Sequence, residues 1–330
     1  MSQDQSLVLG LSPALDTALN AVLDTVRAHY VHPETAAAMA ARVRARRADG
    51  AYAGLSGAEF CAAVTADLRS VYDDRHLTVT WHDEPLGEPD PGAEAAAVER
   101  WRERFRLEAE GVTRVERLPG NVGLIALAGF GDPAGAGAAY EAAMRLLADT
   151  YALIVDLRAN RGGWPQSAVQ FCAHLVGPEP VQVAVVHKGA ERRQCWTPAY
   201  VPGPRYLDRP VHVLTSSRTF SGGEDLAYTL QSLGRATVVG EATSGAAHAF
   251  SLYRIDGHIE VGVPDERPVN AVTGSNWEGV GVVPDVEVPA GAAFDVAYER
   301  SLEHVAGRVA GREDENSRRI ASEAVERLVA

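Results

Sequence analysis

Apolar positions at the start of the chain recur with helical spacing. Leu15, Leu19, Val22, Leu23 and Val26 predict a helix from about Pro13. Pro33 follows a short break and fits the first turn of a second helix, with Ala37 to Ala41 favouring it. Ser56, with Glu59 three residues on, predicts a capped third helix running to about Val71. Three helices joined by short turns predict a small bundle. The segment Tyr72-Asp73-Asp74-Arg75-His76 breaks the pattern, and Leu77 to Trp81 alternates as a strand does. Residues 84–97 are rich in Pro, Gly, Glu and Ala and are expected to form a linker. The charged stretch from Arg100 to Arg117 is expected to add a strand or two leading inward.

From Asn121 the period changes. Val122–Leu127 and Ala152–Leu157 are continuous apolar runs, the mark of strands buried on both faces of a parallel sheet. Helical patterns follow at Ala136–Ala148 and Trp164–Val176, and further strands at Val181–Val186 and Val211–Thr215. A helix from Ser221 to about Leu233 precedes strands at Ala236–Val239, Phe250–Arg254 and Ile259–Val263. The tail, residues 292–329, reads as helical with a charged break near Gly311. Such alternation predicts an α/β domain. The expected division is a helical bundle over residues 1–83, a linker with connecting strands over 84–118, and the α/β domain over 119–330.

Composition narrows the partners. The net charge of −13 argues against a nucleic-acid backbone. The 3 cysteines, Cys61, Cys172 and Cys195, are far apart and lack C-x-x-C spacing, so neither a disulfide framework nor a zinc site is indicated. No segment approaches membrane-spanning length, and the N-terminus lacks the basic and apolar regions of a signal peptide. A cytoplasmic protein without metal or cofactor is expected.

The richest chemistry lies in TSSRTFSGGEDLAYTL, residues 215–230. A strand runs into a polar turn, then Ser221, two glycines and an amphipathic helix. A serine so placed can act as a nucleophile, its Oγ held clear of the sheet at a helix N-terminus. Ser221-Gly222-Gly223-Glu224 also fits the S-x-x-E capping box, in which the serine only ties down backbone N–H groups. A serine nucleophile needs a base. Lys188, the sole lysine, ends a strand where a solvated charge is the simpler reading, so a histidine with an orienting carboxylate is expected instead.

Of the 10 histidines, His76 stands at a helix-to-strand switch after two aspartates, and His248 in a loop of small residues. Glu278 lies between an aromatic residue and a glycine. The N–H of Gly222 and the glycine loop Asp156–Gly163, through Gly162 or Gly163, offer oxyanion donors. His248, Asn160 and Trp277 are expected to line a substrate pocket.

As a set these segments resemble the C-terminal-processing (tail-specific) serine peptidase family, in the branch of the interphotoreceptor retinoid-binding protein modules and the tricorn protease core. The matching motifs are DDRHLTV (73–79), DLRANRGG (156–163), LTSSRTFSGGEDLAY (214–228), VVGEATSGAAH (238–248) and NWEGVGVVPDVEV (276–288). The resemblance implies a ClpP/crotonase-like α/β fold preceded by a small helical bundle. It implies Ser221 as nucleophile, His76 as general base and acid, and Glu278 in support. Members with a Ser–Lys dyad carry the lysine in a G-K-G element; here Gly245-Ala246-Ala247 occupies that place, so Ala246 stands where the lysine would be. The family's usual PDZ domain has no counterpart between His76 and Asp156. The expected function is a serine hydrolase, a peptidase acting on short or unstructured peptides. Acyl chemistry on a non-peptide ester, amide or thioester is a second expectation, and binding of a small apolar ligand a third.

Overall fold

A computed structural model of the chain describes residues 11–87 and 91–328. The reading of residues 1–10 as no signal peptide, the middle of the expected linker (88–90) and the last tail residues (329–330) lie outside the described residues.

The N-terminal helices are α1 (Pro13–His29), α2 (Pro33–Ala48) and α3 (Gly57–Arg69), followed by β1 (Thr78–Trp81). Next come α4 (Pro91–Leu107), β2 (Val112–Leu118), β3 (Val122–Leu127), α5 (Pro133–Leu147), β4 (Ala152–Asp156) and α6 (Pro165–Ala173). β5 (Gln182–Lys188), β6 (Glu191–Trp196), β7 (Val211–Thr215), α7 (Gly222–Ser232) and β8 (Thr237–Gly240) continue the chain. It closes with β9 (Ala249–Arg254), β10 (Ile259–Asn270), β11 (Val286–Glu287), α8 (Ala293–Val309) and α9 (Glu315–Leu328). Among the described residues no helix is long and apolar enough to cross a membrane.

The chain divides into two compact units. The smaller draws on Met1–Pro91, Val186–Arg192 and His248–Pro268. Its helices start at capped positions: Ser12 accepts from the Leu15 N–H, and Ser56 and Glu59 form the expected capping box. Leu19, Val22, Met39, Val43, Phe60 and Val64 fill its core. The bundle is not all that residues 1–83 belong to. β1 pairs antiparallel with β10, from Thr78↔Gly262 to Trp81↔Ile259, and β10 pairs with β9. A lone amphipathic strand leaves its backbone unpaired, and the partner arrives from far along the sequence. Lys188 forms ion pairs with Asp265 at 2.9 Å and Glu266 at 3.5 Å, which accounts for its charge.

The larger unit holds a six-stranded sheet in the order β11-β8-β7-β4-β3-β2. Its strands from β3 to β11 pair in parallel and β2 joins antiparallel. Alternate residues serve alternate faces. Leu153 and Val155 of β4 join the core beneath α5, α6 and α7. Ala152 and Ile154 join the core beneath α8 and α9. Burial on both faces explains the unbroken apolar runs. β4 and β7 run side by side, with Asp156 opposite Leu214, so the loops after them emerge together at the carboxyl end of the sheet.

One expectation is corrected. Residues 91–107 form a helix, α4, rather than linker and strand. Val98, Trp101 and Phe105 fall at i, i+3 and i+7 on it, and Trp101 and Phe105 pack on Trp164, with ring centroids 4.2 and 5.9 Å away. β6, reached from β5 through Gly189, was also not expected.

Candidate active site

The strand–turn–helix of β7 and α7 holds Ser221 in an unusual backbone conformation. Its φ of 49° and ψ of −116° lie where residues with a Cβ seldom go. Such strain persists only where the surroundings enforce it. Here they do: Thr219 Oγ1 donates to Leu157 O at 2.9 Å, Ser216 Oγ to Arg158 O at 2.7 Å, and the Phe220 N–H to Asn160 O at 3.1 Å. These bonds tie the β7–α7 turn to the loop after β4. Ser221 occupies the N-cap position and pairs with Glu224 in a capping box, but no hydrogen bond of normal geometry reaches its Oγ from the helix. Its N–H donates to Glu224 at 2.8 Å.

The glycine loop after β4 lies against this serine. A Cβ on Gly162 would stand 2.8 Å from Ser221 Cβ, so only glycine fits that approach. The structure separates the two glycines. The Gly162 N–H donates to Asn160 Oδ1 at 2.8 Å and is not available to an oxyanion. The N–H groups of Gly163 and Gly222 are engaged by no acceptor among the described residues. A Cβ on Gly222 would lie 3.5 Å from Gly163 N, which places the two N–H groups in one neighbourhood at the N-terminus of α7. Asn160 is therefore corrected from pocket residue to support. It is fully buried, and its amide nitrogen donates to Leu127 O at 3.0 Å.

Glu224 is the hub of this unit's site. It is fully buried and accepts from the Ser221 N–H, Thr243 Oγ1 (2.5 Å), the Gly245 N–H (2.6 Å) and the Ala246 N–H (3.0 Å). Burial raises its pKa, against the pull of those hydrogen bonds. The adjoining Ala247 N–H donates to Glu278 Oε2 at 2.6 Å. Glu278 thus sits on the segment that Glu224 clamps to Ser221. Trp277 is 4% exposed, belongs to the core and packs on Tyr228 with centroids 5.3 Å apart, which corrects its expected place in a pocket.

The smaller unit carries the candidate histidines. Asp74 is fully buried and accepts from Tyr30 OH at 3.1 Å and the His76 N–H at 3.1 Å; His248 Nδ1 lies 2.7 Å from it. The His76 ring stacks on Phe250 at 5.3 Å. Burial pushes its pKa down to about 4, with Asp74 pulling the other way. His248 is 1% exposed, so its contact is Asp74 rather than an open pocket. Sequence reasoning passed over Asp74, although it immediately precedes Arg75-His76, and it passed over Phe130. The Phe130 N–H donates to Gly162 O at 2.9 Å, and its carbonyl accepts from the Trp164 N–H at 3.0 Å. Its signal was a lone aromatic between Gly129 and Gly131.

The sequence profile of peptidase family S41 matches residues 121–288, half of the chain. The chain belongs to peptidase family S41. A second profile, the N-terminal domain of S41 peptidases in eukaryotic IRBP, matches residues 3–104 of this S41 chain. The carboxyl-terminal-processing protease of Synechocystis sp. is 32% identical over 171 residues, 49% of this chain and 38% of that protein. The chain spans well under half the length of the curated relatives it matches. A lipoprotein from Streptococcus agalactiae has a similar fold, with TM-score 0.58 and 14% identity over 90% of this chain and 98% of that one. The photosystem II D1 C-terminal processing protease gives TM-score 0.52 and 17% identity over 94% and 100%. The mixed α/β fold is the ClpP/crotonase-like fold of S41, preceded by a helical region, as the motifs led us to expect.

Proposed function

We propose that the chain is a serine peptidase that cleaves short or unstructured peptides through an acyl-enzyme on Ser221. One observation carries this reading. Ser221 is held at positive φ at the N-terminus of α7, its Oγ bound by no hydrogen bond of normal geometry, beside the uncommitted N–H groups of Gly163 and Gly222. That is the arrangement acyl transfer needs: a nucleophile and donors for the developing oxyanion.

In the proposed reaction Ser221 Oγ attacks the peptide carbonyl and gives its proton to a histidine, for which the motif order favours His76. The tetrahedral oxyanion is stabilised by the Gly222 and Gly163 N–H groups. Collapse breaks the C–N bond as the histidine returns the proton to the leaving amine. Water then attacks the acyl-enzyme, with the same histidine as base. Burial, which lowers its pKa to about 4, leaves His76 in the neutral form at pH 7 that a base must have before it takes the proton. Glu278 has the supporting part, on the segment joined to Ser221 through Glu224. Peptide substrates accord with the relatives named as carboxyl-terminal-processing proteases. We place the reaction in the cytoplasm, where cysteines that are spaced far apart and unpaired, as Cys61, Cys172 and Cys195 are, stay reduced.

The test is labelling with a fluorophosphonate together with turnover of a peptide library. The wild-type chain is expected to label at Ser221 and to cleave peptides, and Ser221→Ala to do neither. A wild-type chain that never labels and cleaves nothing overturns the reading. Turnover of esters or thioesters but no peptides moves it to non-peptide acyl chemistry. A co-purified apolar ligand without turnover moves it to a binding module.

A second assignment of the base rests on the 2.7 Å Asp74–His248 contact, since a buried carboxylate on Nδ1 orients an imidazole as a base requires. His76→Gln and His248→Gln, compared in labelling rate at equal folded fraction, separate the two. The variant of the true base loses labelling.

A further inference from the structure

Glu110 is the least explained side chain of the larger unit. It is 9% exposed, and its backbone is strained, with φ of 56° following Ala109 at 51°. Its Oε2 has no hydrogen-bond partner, and neither has the buried Tyr140 hydroxyl. Burial disfavours the charged form of this carboxylate, with the Asp132 N–H in partial compensation. Glu110 is not needed to cap α5, because Asp132 already does so, accepting from the Ala134 N–H at 3.0 Å. The chain nevertheless makes room for it: a Cβ on Gly131 or Gly135 would collide with the Glu110 carboxylate.

What Glu110 touches explains why such a group is kept. The segment running through Gly129 to Gly131 is held on one side by residues 110 and 111. The Ala128 N–H donates to Gly111 O at 2.8 Å, and the Gly131 N–H approaches Glu110 O at 3.4 Å. On its other side that segment pairs with the glycine loop. Phe130 bridges Gly163, bonding Gly162 O and the Trp164 N–H, and its ring lies 3.3 Å from where a Gly222 Cβ would stand. Phe130 therefore lies against both Gly163 and Gly222, and Glu110 lies against Gly131, the residue that follows Phe130.

We propose that Glu110 is a positioning residue for the oxyanion loop: its carboxylate, wedged between Gly131 and Gly135, holds Phe130 against Gly163 and Gly222. Its consequence for catalysis rests on the peptidase reading above; the clamp itself does not. Burial raises the Glu110 pKa and the Asp132 carboxylate adds to this, while the Asp132 N–H and Arg106 oppose it. The site thus tolerates an unfavourable charge, as functional positions do.

The test compares the full-length chain with Glu110→Ala, which removes the wedge; Glu110→Gln, which keeps its shape, should retain the wild-type rate, and the effects that follow are those expected of Glu110→Ala. The fluorophosphonate labelling rate and kcat are expected to fall about tenfold or more, because small displacements of reacting groups are expensive. KM should stay within about twofold, since the clamp acts on the oxyanion donors and not on ground-state binding. The melting temperature should hold or rise, and amide hydrogen exchange across residues 160–164 should quicken. Unchanged labelling and unchanged exchange overturn the proposal, as does a rate loss that merely follows a falling folded fraction. If the wild-type chain never labels, the peptidase reading fails and exchange alone decides the clamp: faster exchange in Glu110→Ala supports it, and equal exchange overturns it.

Discussion

The chain contains the same four-residue device twice. Ser56-Gly57-Ala58-Glu59 opens α3 and Ser221-Gly222-Gly223-Glu224 opens α7. At α3 the serine is extended, at φ −67° and ψ 166°, and its Oγ accepts from the Glu59 N–H at 3.4 Å. Glu59 answers at 2.9 Å to the Ser56 N–H and at 2.8 Å to its Oγ, out in solvent. At α7 the serine is forced to positive φ, its Oγ keeps no hydrogen bond of normal geometry to the helix, and the glutamate is buried among four donors. The S-x-x-E pattern is shared and the physics differs. The first box stabilises a helix, whereas the second holds a hydroxyl in place. What separates them is tertiary: the β4 loop on one side of Ser221 and the 243–246 loop on the other.

The largest expected effect breaks the symmetry outright. Ser221→Ala should remove labelling and hydrolysis by about ten-thousandfold or more. Its stability should stay within about 0.5 kcal/mol of wild type, because no capping bond is lost. Ser56→Ala should do the reverse, with activity intact and stability lowered by about 1 kcal/mol. Peptide turnover and urea unfolding on both variants check this. A clear stability loss in Ser221→Ala would mean that the second serine is a cap after all.

The glutamates should divide in the same way. Glu224→Ala strands three backbone N–H groups and the Thr243 hydroxyl, which are buried with Glu224. A loss of about 3 kcal/mol or more is expected, read from the urea midpoint. Glu59→Ala leaves its donors to water and should lower stability by a small fraction of that. Equal losses would contradict the difference between the boxes.

Gly162→Ala tests the loop that presses on Ser221. The new Cβ would lie 2.8 Å from Ser221 Cβ, at a backbone φ of 88° that favours glycine. Labelling is expected to fall about a hundredfold as the serine and its neighbours shift. No such collision exists at Gly54, at φ 71°, where a Cβ meets nothing, so Gly54→Ala should cost stability alone.

Much of this was legible in the sequence because it is local. The buried strands at Val122 and Ala152 announced themselves by apolar runs, α1 by its apolar spacing and α3 by its capping box. Ser221, Gly222 and the Gly162–Gly163 pair were found from turn chemistry. What escaped was decided at long range. Residues 91–107 are so charged that their single stripe of Val98, Trp101 and Phe105 was overlooked. Asn160 and Trp277 sit in loops that look accessible, yet the folded chain buries both. Which glycine N–H remains available depends on where Asn160 Oδ1 points, and no spacing rule contains that. The N-terminal helices gave no hint that residues 248–268 complete their sheet.

The smallest effect is the most specific to the comparison, because it concerns the sign of a slope. The Glu59 pKa is lowered from 4.5 by hydrogen bonds from Ser56, backbone first and side chain second. Its contribution to stability is therefore present above pH 4.5 and lost as pH falls through the lower folded-state value. The Glu224 pKa is raised from 4.5, burial outweighing its donors. Its contribution is full below pH 4.5 and is lost as pH rises through the higher folded-state value. Against Glu59→Gln, wild type should gain stability with rising pH at the acid end of the range. Against Glu224→Gln it should lose stability as pH climbs from 4.5 toward neutrality. Urea midpoints for the three proteins between pH 3 and pH 7 (roughly the span over which carboxylates titrate) give both slopes. Opposite signs are expected; slopes of one sign would mean that the two glutamates answer to the same environment, and the contrast between a cap and a clamp would collapse.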